Sequence, residues 1–199
     1  MADEKVSDLT AITALADDDL FYVVDASDTT DDAAGSSKKI TAANVRSSLN
    51  GPYAHLTVST TQNLGGANGA VSYVDWDGTQ LNVDTGFTHS TVTNPSRVQV
   101  DATGRYALTW MVSITQGGSA RTTYMSAYRI NGTTIVTRGR QRNYSRGSGY
   151  GDTSLGMVTE LDLTDGDYIE ASITIDDTDS TYTSNCIPAE CELIIRRIG

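Results

Sequence analysis

The sequence predicts an all-β protein. Residues 51–199 read as a sandwich or jelly roll, and residues 1–50 as a small extended N-terminal segment with a short strand and one or two short helices. Three observations carry this. The C-terminal part is a succession of short alternating segments punctuated by turn residues, with no helical period between them. The chain holds 18 Gly alongside many Thr and Ser, which suits strands and turns, and its ten Tyr and two Trp supply buried area without long aliphatic runs. Composition also breaks near residue 50: all three Lys lie before it, and ten of the eleven Arg and seventeen of the 18 Gly lie after it.

Within residues 1–50, the acidic run Asp17-Asp18-Asp19 leads into Leu20-Phe21-Tyr22-Val23-Val24-Asp25, an apolar, β-branched and aromatic strand. A loop is expected over 26–37. Thr41 can then N-cap a short helix through Leu49, with Ile40 before the cap and Val45 and Leu49 on one face. One strand and short helices cannot bury a core of their own in 50 residues, so this segment is expected to order against something else. Asn50-Gly51-Pro52 marks the boundary. Beyond it, alternation is visible in Arg97–Val100, Tyr106–Ile114, Tyr128–Ile130, Thr133–Val136, Tyr168–Ile175 and Cys191–Ile198. Turn signals separate these strands at Ala102–Gly104, Gln116–Gly118, Asn131-Gly132 and Thr164–Gly166.

Charge narrows the function classes. A formal net charge of −11 disfavours nucleic acid, whose phosphates need Lys and Arg, and also disfavours anionic membrane surfaces. No apolar run approaches the roughly 20 residues of a spanning helix, so no membrane insertion is expected. Met1–Leu9 carries Asp3, Glu4 and Asp8 and lacks the apolar core of a signal peptide, which leads us to expect accumulation in a cytoplasm.

Catalysis has little footing. His55 and His89 are the only imidazoles, both on or beside expected strands, and no Gly-x-Ser-x-Gly elbow is present. No enzyme activity, cofactor or metal is expected. The carboxylate groups Asp75/Asp77, Asp165/Asp167 and Asp176/Asp177/Asp179 could offer oxygen ligands to calcium, but Asp75-Trp-Asp-Gly does not continue into an EF-hand loop, and solvated turn carboxylates are the plainer reading. Cys186 and Cys191 flank Ile187-Pro188; a disulfide across this tight loop competes with free thiols, which a reducing cytoplasm favours. Arg138, Arg140, Arg142, Tyr144 and Arg146 recur at period two in an otherwise acidic chain. If extended, they line one face and could meet a carboxylate-rich partner or a glycan; a solvated or internally paired face is the alternative. The Gly-rich loop Arg146–Asp152 beside them could adapt to a ligand.

Several segments carry a resemblance. PYAHLTV (52–58), VDTGFTHSTV (83–92), VQVDATGRYALTWMVSI (98–114), AYRINGTTI (127–135), LDLTDGDYIEASI (161–173) and CELIIRRIG (191–199) resemble, in order, the strands of the jelly roll shared by complement globular heads and tumour-necrosis-factor-like ligands. The resemblance implies a homotrimer with an apolar, aromatic-lined three-fold interface. Tyr106, Trp110, Tyr124 and Tyr128 are the candidate interface residues, because they exceed what one small core needs; occupancy of the subunit's own core is the alternative for each.

Residues 5–49, KVSDLTAITALADDDLFYVVDASD…SKKITAANVRSSL, resemble a segment recurrent at the start of bacteriophage tail-fibre and head-fibre proteins. The match implies a tailed-bacteriophage virion protein assembled in the host cytoplasm. In it, residues 1–50 attach to the virion through Leu9, Leu20, Phe21, Tyr22, Val23, Ile40, Val45 and Leu49, and residues 51–199 form a trimeric knob. The absence of a fibrous shaft favours a capsid decoration or cement protein held by the major capsid protein or another virion protein. The alternative is a tail-fibre or adaptor tip that binds a host surface receptor or glycan.

Overall fold

The computed structural model describes residues 16–25, 27, 30, 36–42, 45, 51–65, 67–78, 82–117, 121–146, 152–176 and 183–199. Two compact units divide the chain, Met1–Gly51 and Pro52–Gly199.

In the first unit, β1 (Leu20–Asp25) pairs antiparallel with β2 (Ser36–Thr41), placing Phe21 opposite Ile40 and Tyr22 opposite Lys39. The second strand corrects the sequence expectation, which read loop as far as Ser37 and a helix cap at Thr41. Ser-Ser-Lys-Lys carries little β propensity; only Ile40 marks an apolar face, and the strand exists because β1 supplies its hydrogen-bond partner. Ala42 and Val45 are helical, and the Ala42 amide donates to the Asp19 carbonyl at 2.8 Å. The rest of the expected helix, Leu49 included, lies outside the described residues, as does Leu9.

In the second unit the strands are β3 (Tyr53–Thr57), β4 (Val71–Tyr73), β5 (Asn82–Val83), β6 (Phe87–His89), β7 (Arg97–Val100), β8 (Gly104–Gly117), β9 (Thr122–Ile130) and β10 (Thr134–Val136). They continue with β11 (Arg142–Ser145), β12 (Thr153–Leu163), β13 (Tyr168–Asp176), β14 (Thr183–Cys186) and β15 (Glu192–Arg197), and a 3-10 turn at Pro188–Glu190 separates the last two. Among the described residues, one sheet runs β12-β8-β15-β3-β5, with β14 also on β8. The other runs β10-β9-β13-β7-β6, with β11 also on β9 and β4 on β13. Every pairing is antiparallel, and the non-sequential neighbours β8–β15, β15–β3 and β9–β13 make this a jelly-roll sandwich.

The strand β8 shows why the sandwich forms. Tyr106, Leu108, Trp110, Val112 and Ile114 alternate inward and are fully buried, while Arg105, Thr109 and Met111 point out. The facing sheet answers with Tyr124, Tyr128, Ile169, Ile173 and Ile175. Edge-to-face ring pairs bridge the layers, Trp110–Tyr128 at 6.2 Å and Phe87–Tyr106 at 5.9 Å between centroids. The turn at Asn131-Gly132 forms as expected, both residues taking positive φ (53° and 72°). Gln116-Gly117, read as a turn, instead prolongs β8, because β14 pairs with it there (Thr183 opposite Gly117).

Candidate functional site

The four aromatic side chains expected at a trimer interface are all interior. Tyr106, Trp110, Tyr124 and Tyr128 are buried within one subunit, so none offers side-chain surface to a partner. This corrects the expectation. A two-layer sandwich of nearly 150 residues has room for them, and alternation along β8 and β9 turns each one inward. The Tyr106 hydroxyl donates to the Ala102 carbonyl at 2.6 Å, and the Tyr124 hydroxyl meets Ser184 Oγ at 2.8 Å.

The outward face of the β12-β8-β15-β3 layer carries the apolar surface instead. Register places Val158, Thr109, Ile194 and His55 in one row across it, with Met111 and Ala107 in the flanking rows. Val158 is 71% exposed and Met111 44%. Polar contacts rim this patch: the Arg105–Glu160 ion pair at 2.8 Å, the His55–Glu192 hydrogen bond at 3.2 Å, and Arg196 over the Tyr53 ring at 5.7 Å. An apolar centre inside a polar rim is the anatomy of a protein–protein interface. Sequence reading passed over these residues because single Val, Met and Ile positions among Thr, Gly and Glu look like ordinary solvent-facing strand positions. Their clustering appears only across strands.

The arginine-rich segment is extended only over Arg142–Ser145; Arg138-Gly139 is a turn, with Gly139 at φ 82°, so the expected continuous period-two face does not form. All five candidate side chains are exposed. Arg142 pairs with Asp176 at 2.9 Å, and both Arg140 and Arg142 reach the Met125 sulfur. The segment runs beside β12: the Gly156 amide donates to Gln141 Oε1 at 3.0 Å, and Asn143 Nδ2 donates to the Ser154 carbonyl at 2.9 Å. It therefore flanks the edge of the outward apolar face. Close by, Ser113, Asn143, Asp152, Thr153, Ser154, Ile187 and Glu190 line a polar depression of about 350 Å³. Of the Gly-rich loop, residues 147–151 lie outside the described residues.

Asp75, Asp77, Asp165 and Asp167 sit in turns and loops, whereas Asp176 ends β13. Asp77 accepts from the Ser59 amide (2.8 Å) and the Thr60 hydroxyl (2.6 Å); burial raises its pKa, but these hydrogen bonds outweigh it and hold the carboxyl below the ordinary value. Burial, aided by the charges of Asp77 and Glu170, raises that of Asp75. Asp167 accepts from the Thr164 amide and Asn131 Nδ2. Asp177 and Asp179 lie outside the described residues, among which no group of three or more His, Cys, Asp or Glu is placed to hold a metal. His89 faces two carbonyls, of Arg97 (2.8 Å) and Trp76 (2.9 Å), and serves to join loops.

In the first unit, Leu20, Tyr22 and Val24 share one face of β1 at 52%, 77% and 66% exposure. Val23 is exposed on the other face, where Phe21 and its partner Ile40 are half-buried, as is Val45 beyond β2.

No protein-family model and no curated protein matches the chain. Solved structures do. Murine APRIL at pH 5.0 superposes with a TM-score of 0.50 at 15% identity, covering 74% of this chain and 99% of that one. Eiger TNF from S. frugiperda gives a TM-score of 0.50 at 10% identity, covering 75% of this chain and 94% of that one. At such identities the likeness is one of fold, and the sandwich is a jelly roll of the tumour-necrosis-factor-like kind.

Proposed function

We propose that this protein is a structural virion protein of a tailed bacteriophage, a homotrimeric capsid decoration or cement protein attached by residues 1–50 with the jelly-roll knob outward. The observation that carries the reading is the β1–β2 hairpin. A two-stranded hairpin is marginal alone in water, yet this one exposes Leu20, Tyr22 and Val24 along one face. Such a stripe suits a segment completed by another protein, and it falls within residues 5–49, whose sequence resembles phage fibre N-termini. The trimer draws support from the rimmed apolar face around Val158, Met111 and Ile194, with Arg138, Arg140 and Arg142 at its edge to meet carboxylates of a neighbouring subunit or of the capsid. No catalysis is assigned.

A second reading, a tail-fibre or adaptor tip that captures a host surface glycan, is favoured by the polar depression beside Asn143 and the exposed Tyr144. Copy number per virion separates the two: hundreds support decoration, a handful support a tail tip. Deleting residues 1–50 should leave a folded trimer that no longer joins particles. If the truncated knob still decorates virions, the attachment assignment fails.

A further inference from the structure

We propose that Cys186 and Cys191 form a paired oxidation site: peroxide converts them into an intrachain disulfide across the Ile187–Glu190 turn, with Cys186 as the attacking thiolate. The register carries the geometry. Cys186 ends β14 opposite Ile114 of β8, and β15 resumes on the same strand with Glu192 opposite Met111. Cys191, one residue earlier, falls beside Val112. The Ile187 amide still follows the ladder, donating to the Ser113 carbonyl at 2.9 Å, and Pro188–Glu190 are then thrown out of line as a 3-10 turn. β14 and β15 are thus one interrupted line along β8, with a cysteine at each foot of the bulge. Positions beside Val112 and Ile114 are two residues apart on one strand face, about 6.7 Å. That lies within the roughly 4.4–6.8 Å Cα separation of protein disulfides. Both thiols are buried, at 1% and 3% exposure, and face the same interior.

The surroundings distinguish the two sulfurs. Cys186 Sγ accepts the Gln62 amide at 3.4 Å, whereas Cys191 Sγ lies 3.0 Å from the Ile187 carbonyl, an acceptor that favours the protonated thiol. The Cys191 thiol is also within hydrogen-bonding reach of Cys186; that bond, assisted by the Gln62 amide and opposed by burial, holds Cys186 down to about 7. The same contact and burial push Cys191 well up. Cys186 is therefore the nucleophile and Cys191 the resolving thiol.

The chemistry balances with hydrogen peroxide as the oxidant. The Cys186 thiolate attacks the O–O bond, takes one oxygen as a sulfenic acid and, with one proton, releases the other as water. The Cys191 sulfur then attacks the sulfenic sulfur; the S–S bond forms, the S–O bond breaks, and the second water leaves with the Cys191 proton. Two thiols lose two electrons and two protons, and peroxide is reduced to two waters. Burial limits the reaction to small oxidants. The product staples the turn whose Ile187 and Glu190 wall the polar depression.

The test uses the full chain. Equimolar hydrogen peroxide near neutral pH, followed by denaturing alkylation and intact-mass measurement, should give a species about 2 Da lighter with no alkylatable thiol. Peptide mapping should join Cys186 to Cys191, dithiothreitol should reverse the change, and the melting temperature should rise by roughly 4–8 °C. Persistence of two free thiols, overoxidation of one cysteine beside a free partner, or solely interchain linkage overturns the proposal. Cys191→Ser should leave Cys186 as a sulfenic acid that dimedone traps on denaturation, and Cys186→Ser should leave Cys191 unreactive; the reverse order overturns the assignment of roles. If either variant does not fold, substoichiometric hydrogen peroxide on the unsubstituted protein, with dimedone added on denaturation, should place any trapped sulfenic acid on Cys186, and an adduct on Cys191 counts against the assignment of roles.

Discussion

Val158→Glu puts a charge on the most exposed apolar side chain of the outward face of the β12-β8-β15-β3 layer without touching the core. Fully burying a Val or Met side chain is worth about 1.5–3 kcal/mol. Val158 retains 71% of its surface in the subunit, so covering it in a trimer contributes roughly 1–2 kcal/mol per subunit. Met111, 44% exposed, contributes roughly 0.7–1.3 kcal/mol. Val158→Glu therefore removes about 3–6 kcal/mol per trimer, before the desolvation of three carboxylates is counted. Dissociation to three subunits moves the midpoint concentration as the square root of the equilibrium constant, so the midpoint should rise by roughly 10–150-fold. Sedimentation equilibrium across a dilution series reads this directly, and circular dichroism checks that the subunit stays folded, as it should for a solvent-facing strand position. A variant that remains trimeric at every dilution, or an unsubstituted protein that is monomeric at micromolar concentration, would refute assembly through this face.

Three further outcomes follow from the geometry. The Tyr128 hydroxyl is buried with no hydrogen-bond partner among the described residues, so Tyr128→Phe should leave stability in urea unchanged or raise it by about 1 kcal/mol; a loss of more than that would mean the hydroxyl is satisfied in solution. Asp77 has a folded-state value below the ordinary 3.8, so its stabilisation is complete above the unfolded value and is lost as the pH falls through the lowered folded one; Asp77→Asn should flatten the acid limb of the stability curve below about pH 4, and an unchanged limb contradicts the hydrogen-bonded carboxylate. A Cβ at Gly139 would lie 2.6 Å from the Val158 carbonyl at φ 82°, so Gly139→Ala should destabilise by about 1–3 kcal/mol in thermal unfolding and displace Arg138 and Arg140; an unaffected melting temperature would show that the turn adjusts freely.

Where local chemistry was decisive, the sequence was readable. Tyr106–Ile114 alternates without interruption, and the strand lies there; Asn131-Gly132 demands a turn, and the chain turns there. β12 was legible only at its Leu-Asp-Leu end. Its inward positions Leu155, Met157 and Thr159 are interleaved with Gly156, Val158 and Glu160, which blurs the apolar period. β2 was illegible because Ser-Ser-Lys-Lys becomes a strand only through β1. For the sites, aromatic abundance pointed to an interface but went into the core, since size and hydrophobicity do not say which face of a strand a residue takes.

By itself, then, the amino-acid order determined an all-β chain, the place of its strongest strands and turns, and the compositional break near residue 50. Those are properties of neighbours within a few bonds of one another. Only the tertiary structure decided that Val158, Met111 and Ile194 share one exposed face, that β14 and β15 form a single interrupted line, and that two cysteines stand at its gap. These depend on register between strands dozens of residues apart, set by how the inward side chains of two sheets fill one core, and no local window of sequence contains that information.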